Sequence, residues 1–283
     1  MVSIALKFLN FASMKKREII VTNDDGFSAK GITVISQFLR RFGNVTVMAP
    51  REAQSGKSAS LTLDRTLEVA EIGKEEATGE LGSIRIYSLN GTPVDCTKLA
   101  INYLFHEGIM PDLLVSGINH GSNASSAAIY SGTLGAAAEA TVYDIPAIGL
   151  SMNNHRSRPD NDPEFEGLLH YAEIILGKVF ETGLPKGTYI NVNFPDLAKD
   201  DIKGIRMARQ GTGRWIKEFD QRQSPRGSYY FWMVGEFQDL EDDAHKDADH
   251  RLVGEGYVAV TPVKIDTTDY EAKEKLAKQW NFR

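Results

Sequence analysis

From residue 18 to residue 193 the chain alternates short apolar runs with segments whose apolar residues recur at helical spacing, and this rhythm admits few folds. Residues 18–22, 44–49, 112–116, 146–150 and 188–193 read as short strands, apolar enough to be buried on both faces. Residues 31–42, 93–104, 132–143 and 164–180 read as helices; in the first, Ile32, Ile35, Phe38 and Leu39 share one face. Parallel strands need a crossover rather than a tight hairpin, and a helix is the usual crossover. The pattern therefore predicts an α/β fold over residues 14–202: a Rossmann-like, mostly parallel sheet with helices on both faces. In such sheets ligands bind beyond the carboxyl ends of the strands.

The rhythm stops near residue 203. Residues 205–208, 229–237 and 256–262 look like strands without intervening helices, 236–249 is an acidic stretch that reads as a solvated loop, and 270–280 is a charged, partly amphipathic helix. Residues 203–283 are thus expected to form a smaller, β-rich region. Upstream, residues 61–89 read as short strands around a charged turn.

Charge and composition narrow the partners. A formal net charge of −6 argues against binding to a nucleic-acid polymer, which needs a basic face to release counterions. A small anionic substrate is still compatible, because a bound cation reverses the local field. Cys96 is the single cysteine, which rules out an intramolecular disulfide and a cysteine-rich metal site and fits a reducing cytoplasm. No apolar run approaches the roughly 20 residues of a membrane-spanning helix, so no membrane association is expected. Residues 2–12 are apolar but carry Lys7 and lack a preceding basic segment, which makes a poor signal peptide. Residues 1–13 are read as an N-terminal extension ahead of a natural start at Met14.

Four polar segments carry chemistry. Asn23-Asp24-Asp25-Gly26 follows the first strand; two adjacent carboxylates repel, and a divalent cation relieves that repulsion by taking oxygen ligands from them. An ordinary Asp-Asp-Gly turn is the alternative. Gln54-Ser55-Gly56-Lys57-Ser58 contains Gly-Lys-Ser, but a phosphate loop requires glycine where Arg51 stands, and no helix pattern follows. A hydroxyl of Ser55 or Ser58 aimed at a metal or phosphate remains one reading of this segment, and a polar loop the other. Ser116-Gly117-Ile118-Asn119-His120-Gly121-Ser122-Asn123 offers Asn119 as a neutral oxygen ligand for a hard cation. His120, a lone histidine in a turn, reads as exposed. Tyr130-Ser131-Gly132-Thr133 opens a helix whose cap, Ser131 or Thr133, is compatible with an anion site at the same terminus.

These segments occur in a particular order, together with Asn90-Gly91-Thr92-Pro93-Val94-Asp95-Cys96, Asn191-Val192-Asn193-Phe194-Pro195 and Gly256-Tyr257-Val258-Ala259-Val260-Thr261-Pro262. The ordered set resembles the SurE survival-protein family of nucleotidases from about Met14 into the C-terminal strands. The resemblance implies a metal-dependent phosphatase acting on nucleoside 5′- and 3′-monophosphates, with some activity on short polyphosphate. It implies one divalent ion per subunit, Mg²⁺ or Mn²⁺, held by Asp24, Asp25, Ser55 and Asn119, with Asp24 and Asp25 the catalytic residues. Asn23, Gly56, Asn123, Ser131, Gly132 and Thr133 are the corresponding candidates for substrate binding. The family also dimerises, so residues 203–283 are expected to serve a homodimer or dimer of dimers, often with C-terminal segments exchanged. Two rival readings are a metal-dependent glycosyltransferase or other nucleotide-sugar enzyme, and a noncatalytic nucleotide-binding protein on the same fold.

Overall fold

The computed structural model describes residues 16–105, 110–154 and 165–281; the proposed extension and Met14 lie outside that range, as does residue 164. The first half runs β1 (Arg17–Thr22), α1 (Lys30–Leu39), β2 (Gly43–Pro50), β3 (Val69–Glu75), β4 (Ile84–Leu89) and α2 (Pro93–Leu99). It continues through β5 (Leu113–His120), α3 (Gly132–Val142), β6 (Ala147–Asn153), α4 (Phe165–Thr182) and β7 (Thr188–Pro195). The remainder comprises β8 (Ile205–Met207), β9 (Gly213–Ile216), β10 (Phe219–Gln223), β11 (Tyr229–Met233), β12 (Glu236–Asp239), α5 (Asp249–Gly254), β13 (Val258–Lys264) and α6 (Tyr270–Trp280).

Among the described residues nine strands form the main sheet, in the order β3-β4-β2-β1-β5-β6-β7-β13-β8. The six from β4 to β7 are mutually parallel, while β3 and β13 pair antiparallel at the two ends of that run. Side chains alternate across β1, so Ile19 and Val21 join Ile32 and Ile35 of α1 and Leu168 and Leu176 of α4 on one face. Ile20 joins Cys96 of α2 and Leu134 and Ala137 of α3 on the other. Each of these isoleucines is fully buried, contributing roughly 1.5–3 kcal/mol apiece. The expected α/β sheet with helices on both faces is what the chain forms.

Local signals explain where the helices start. Thr92 caps α2 in a capping box, its hydroxyl accepting from Asp95 N while the Asp95 carboxylate accepts from Thr92 N, and Pro93 occupies the first turn. The helix expected over 93–104 is α-helical only to Leu99 and then widens into a π-turn, Ala100–Leu104.

Three other expectations are corrected. The strand expected over 112–116 continues to His120, because a bulge between Ser116 and Asn119 lets the glycine-containing motif stay paired with β6. Gly117 takes φ +134° at that bulge, a conformation that side chains disfavour. The single strand expected over 229–237 is split at Gly235, φ +149°, into β11 and β12, which pair antiparallel with the unforeseen β10 and β9. The acidic stretch 236–249 is not merely a solvated loop: it contains β12 and ends in Asp249, a fully buried carboxylate that begins α5.

Candidate functional site

The carboxyl ends of β1, β2 and β5 and the N-terminus of α3 converge on one cavity of about 330 Å³, within the usual range of small-ligand sites. Asp24 lies at the end of β1 with only 4% of its surface exposed, and Thr133 Oγ1 donates to its Oδ1 at 2.7 Å. The backbone N–H of His120, at the end of β5, donates to Asp25 Oδ2 at 3.2 Å. The two carboxylates are therefore oriented by different elements. The turn between them and α1 is shaped by Asn23, whose carboxamide accepts from Gly26 N and donates to Gly26 O.

The loop after β2 is tied across the cavity by its backbone. Gln54 N donates to Asp24 O at 2.7 Å, and Ser58 N donates to Tyr130 O at 3.1 Å. Between those two anchors Ser55 and Gly56 form part of the wall. No helix follows Gly56-Lys57-Ser58, as the rejection of a phosphate loop required.

Ser131 caps α3, its hydroxyl accepting from Leu134 N, so the positive end of an eleven-residue helix faces the cavity region. Gly132 is needed there for space: a Cβ would lie 2.9 Å from Asp24 Cβ and 3.2 Å from its Oδ2. Behind this wall, buried amides hold Asn123. Asn123 Nδ2 donates to Ser151 Oγ, Asn123 N donates to Asn193 Oδ1, and Asn191 Nδ2 donates to Asn123 O, all at 2.8–2.9 Å.

The region beyond 203 closes the site. Asp249 accepts from the backbone N–H of Ser125, Gly211 and His250 at 2.8–3.1 Å, which clamps the 122–130 loop to the β9 strand's approach. Ser125 itself has φ +55° and adds a hydroxyl bond to Gly211 O. Arg209 and Thr212 N both hydrogen-bond Glu241, and the guanidinium holds that carboxyl down at about 2. Burial opposes ionisation of Asp239, but hydrogen bonds from Arg251 and from Glu241 N outweigh it and hold this carboxyl at about 2 as well. From this frame Trp215, on β9, reaches the cavity.

Survival protein SurE is the family whose model matches residues 19–217 of the chain. The 5′-nucleotidase SurE of Flavobacterium psychrophilum is 41% identical over 269 residues, covering 95% of this chain and 99% of its own. That of Phocaeicola vulgatus is 42% identical over 271 residues, again 95% and 99%. The crystal structure of the SurE protein from Aquifex aeolicus superposes with a TM-score of 0.76 at 31% identity, covering 93% of this chain and 99% of that one. The chain belongs to the SurE family.

Against the SurE motifs, the structure brings Asp24, Ser55, Gly56, Asn119, Asn123 and Ser131 to one cavity. Asp25 reaches His120, a residue of the same wall. Asn23, Gly132 and Thr133 do not line it: Asn23 is fully buried with its carboxamide bonded to Gly26, and the other two support Asp24 from behind. His120, read as simply exposed, is a half-buried wall residue whose ring packs edge-on to Phe165 at 6.2 Å. Asp249 and Trp215 were not among the candidates, and the SurE match itself ends before Asp249. A tryptophan amid the charged residues 209–218 was the one visible cue to the latter.

The donor set suits a hard divalent cation. Two carboxylates, a hydroxyl and an amide offer oxygen only, and Asn119 Nδ2 is committed to Gly121 O at 2.8 Å, which leaves Oδ1 as that side chain's ligand atom. Among the described residues no cluster of three or more His, Cys, Asp or Glu forms. Cys96 is buried away from the cavity, and burial raises its pKa well above the ordinary thiol value. Also among the described residues, no helix is long and apolar enough to cross a membrane.

Proposed function

We propose that the chain is a divalent-cation-dependent phosphomonoesterase that hydrolyses nucleoside 5′-monophosphates to nucleoside and phosphate. Nucleoside 3′-monophosphates and short-chain polyphosphate are further substrates on this reading. The enzyme acts in the cytoplasm as a homodimer or dimer of dimers with one Mg²⁺ or Mn²⁺ per subunit. The carrying observation is the pair Asp24 and Asp25 at the end of β1, each fixed by a different neighbour, on a cavity shared with Asn119, Ser55 and the α3 terminus. The names of the SurE relatives support the same activity.

Asp24, Asp25, Ser55 and Asn119 would hold the cation. When bound, it neutralises charge on the phosphate oxygens and acidifies a water. The Thr133 hydroxyl and the His120 N–H keep the two carboxylates in place, so little reorganisation accompanies the reaction. Ser131, at the positive end of α3, receives phosphate oxygens, with Gly56 and Asn123 on the flanks. A water oriented by one of the aspartates attacks phosphorus in line as the bond to the nucleoside oxygen breaks. The adjacent carboxylates lack the Asp-x-Asp spacing of phosphatases that form a phosphoenzyme, so water is the direct nucleophile.

Phosphate release from AMP should require added Mg²⁺ or Mn²⁺, stop with EDTA and resume when metal is restored. Undiminished turnover in chelator would sink the proposal, as would the absence of phosphate release with either metal. Gly132→Ala provides a finer check on Asp24. The added methyl forces the carboxylate to shift, a strain of roughly 1–3 kcal/mol, and Mn²⁺ affinity measured by calorimetry should fall about tenfold. Unchanged affinity would mean that Asp24 is not held against Gly132 for metal binding.

A further inference from the structure

The cavity wall mixes two chemistries. Asp24, Ser55, Asn119 and Ser131 supply polar atoms, while Trp215, Tyr130 and Ala127 supply aromatic and aliphatic surface. Trp215 is 38% exposed and Tyr130 58%, so both rings retain open surface. An exposed tryptophan at a polar cavity needs a reason, since its large apolar surface is normally covered.

Trp215 is also held in place. It pairs with Phe237 across β9 and β12, and the rings meet edge-on at 5.8 Å and 70°. Phe237 in turn packs edge-on against His250 at 5.3 Å, and His250 follows the buried Asp249. A Cβ at Gly235 would stand 3.3 Å from the Trp215 ring, so the strand break beside it leaves that ring room. β9 packs against the Ser125–Tyr130 turn, which carries Ala127 and Tyr130. The arrangement fixes the indole at its supported edge and leaves surface toward the cavity.

We propose that Trp215 is the stacking platform for the substrate's nucleobase and the residue that favours nucleotides over simple phosphate esters. The inference rests on the nucleotidase reading for the phosphate end and adds an assignment for the base end. Stacking on an aromatic ring accepts any base, because every base has a π-face. The platform therefore gives a preference for nucleotides as a class, with little discrimination among bases.

The test compares AMP with ribose 5-phosphate, which carries the same kind of ester and no base. Trp215→Ala should lower the ratio of kcat/KM for AMP to that for ribose 5-phosphate by about tenfold or more, chiefly through KM for AMP. Trp215→Phe should restore most of the ratio. A direct readout uses W232F/W280F, in which Trp215 is the sole indole, since the chain has three tryptophans. AMP should quench its fluorescence with Ca²⁺ or no metal present, and ribose 5-phosphate should not. A parallel fall for both esters, or no change in the ratio, overturns the proposal; so does equal quenching by both ligands. If the wild type releases phosphate from neither ester, the nucleotidase reading fails, and the quenching experiment still decides whether Trp215 binds the base.

Discussion

Asp24→Asn is expected to reduce kcat/KM for AMP by about 10³-fold or more while the protein remains folded. The substitution keeps the size of the side chain and an oxygen that accepts from Thr133 Oγ1, so the buried wall around residue 24 should survive. What it removes is half of the negative charge that Asp24 and Asp25 offer to a divalent ion. Several kcal/mol of transition-state stabilisation depend on that ion, and the loss should appear in kcat as well as in the metal concentration needed for half-maximal activity. Phosphate-release kinetics over a Mn²⁺ titration, with a thermal melt of the same preparation, would measure both. Activity within tenfold of wild type at saturating metal would remove Asp24 from the proposed metal site.

Asp249→Ala should be the most destabilising of the substitutions considered. The Asp249 carboxylate is fully buried and accepts N–H bonds from Ser125, Gly211 and His250. Truncation leaves those donors unsatisfied at roughly 1–3 kcal/mol each, so a total of about 3 kcal/mol or more is expected. It also releases Ser125 from a left-handed conformation that costs about 1 kcal/mol to maintain, which returns part of that loss. For a chain of 283 residues the melting temperature should fall by roughly 3–6 °C. Asp249→Asn keeps one acceptor oxygen and should fall by less. Because the same carboxylate steadies the 122–130 loop and the approach to Trp215, KM for AMP should rise in both variants. A melt of Asp249→Ala within about 2 °C of wild type would show that the clamp contributes little.

The contrast between these two aspartates explains how far the sequence could be read. Asp24 stands at the end of a strongly apolar strand, beside a second carboxylate, so local pattern alone located it at the carboxyl edge of the sheet. Ile19, Ile20 and Val21 announced their strand for the same reason: burial on both faces leaves a continuous apolar run. Asp249 lies at the end of an acidic stretch, and its burial depends on backbone groups at Ser125 and Gly211 that are distant in sequence. No local period encodes that. Trp215 was missed for a related reason, since β9 is only four residues long and takes its partner from β12. The bulge that extends β5 to His120 was equally hidden, because a glycine-rich motif resembles a turn until its neighbour strand is known.

The clamp between Ser125 and Asp249 spans 124 residues of chain, and this has a consequence for biosynthesis. At about 5–20 residues per second, the ribosome delivers Asp249 roughly 6–25 s after Ser125. During that interval β1, α1, β2 and β5 can assemble with Asp24, Asp25 and Asn119, but the loop carrying Tyr130 still lacks its clamp at Asp249. The nascent chain therefore acquires its charged pair early and the enclosure of its cavity late. Emergence of Asp249 sets the moment at which the pocket becomes complete.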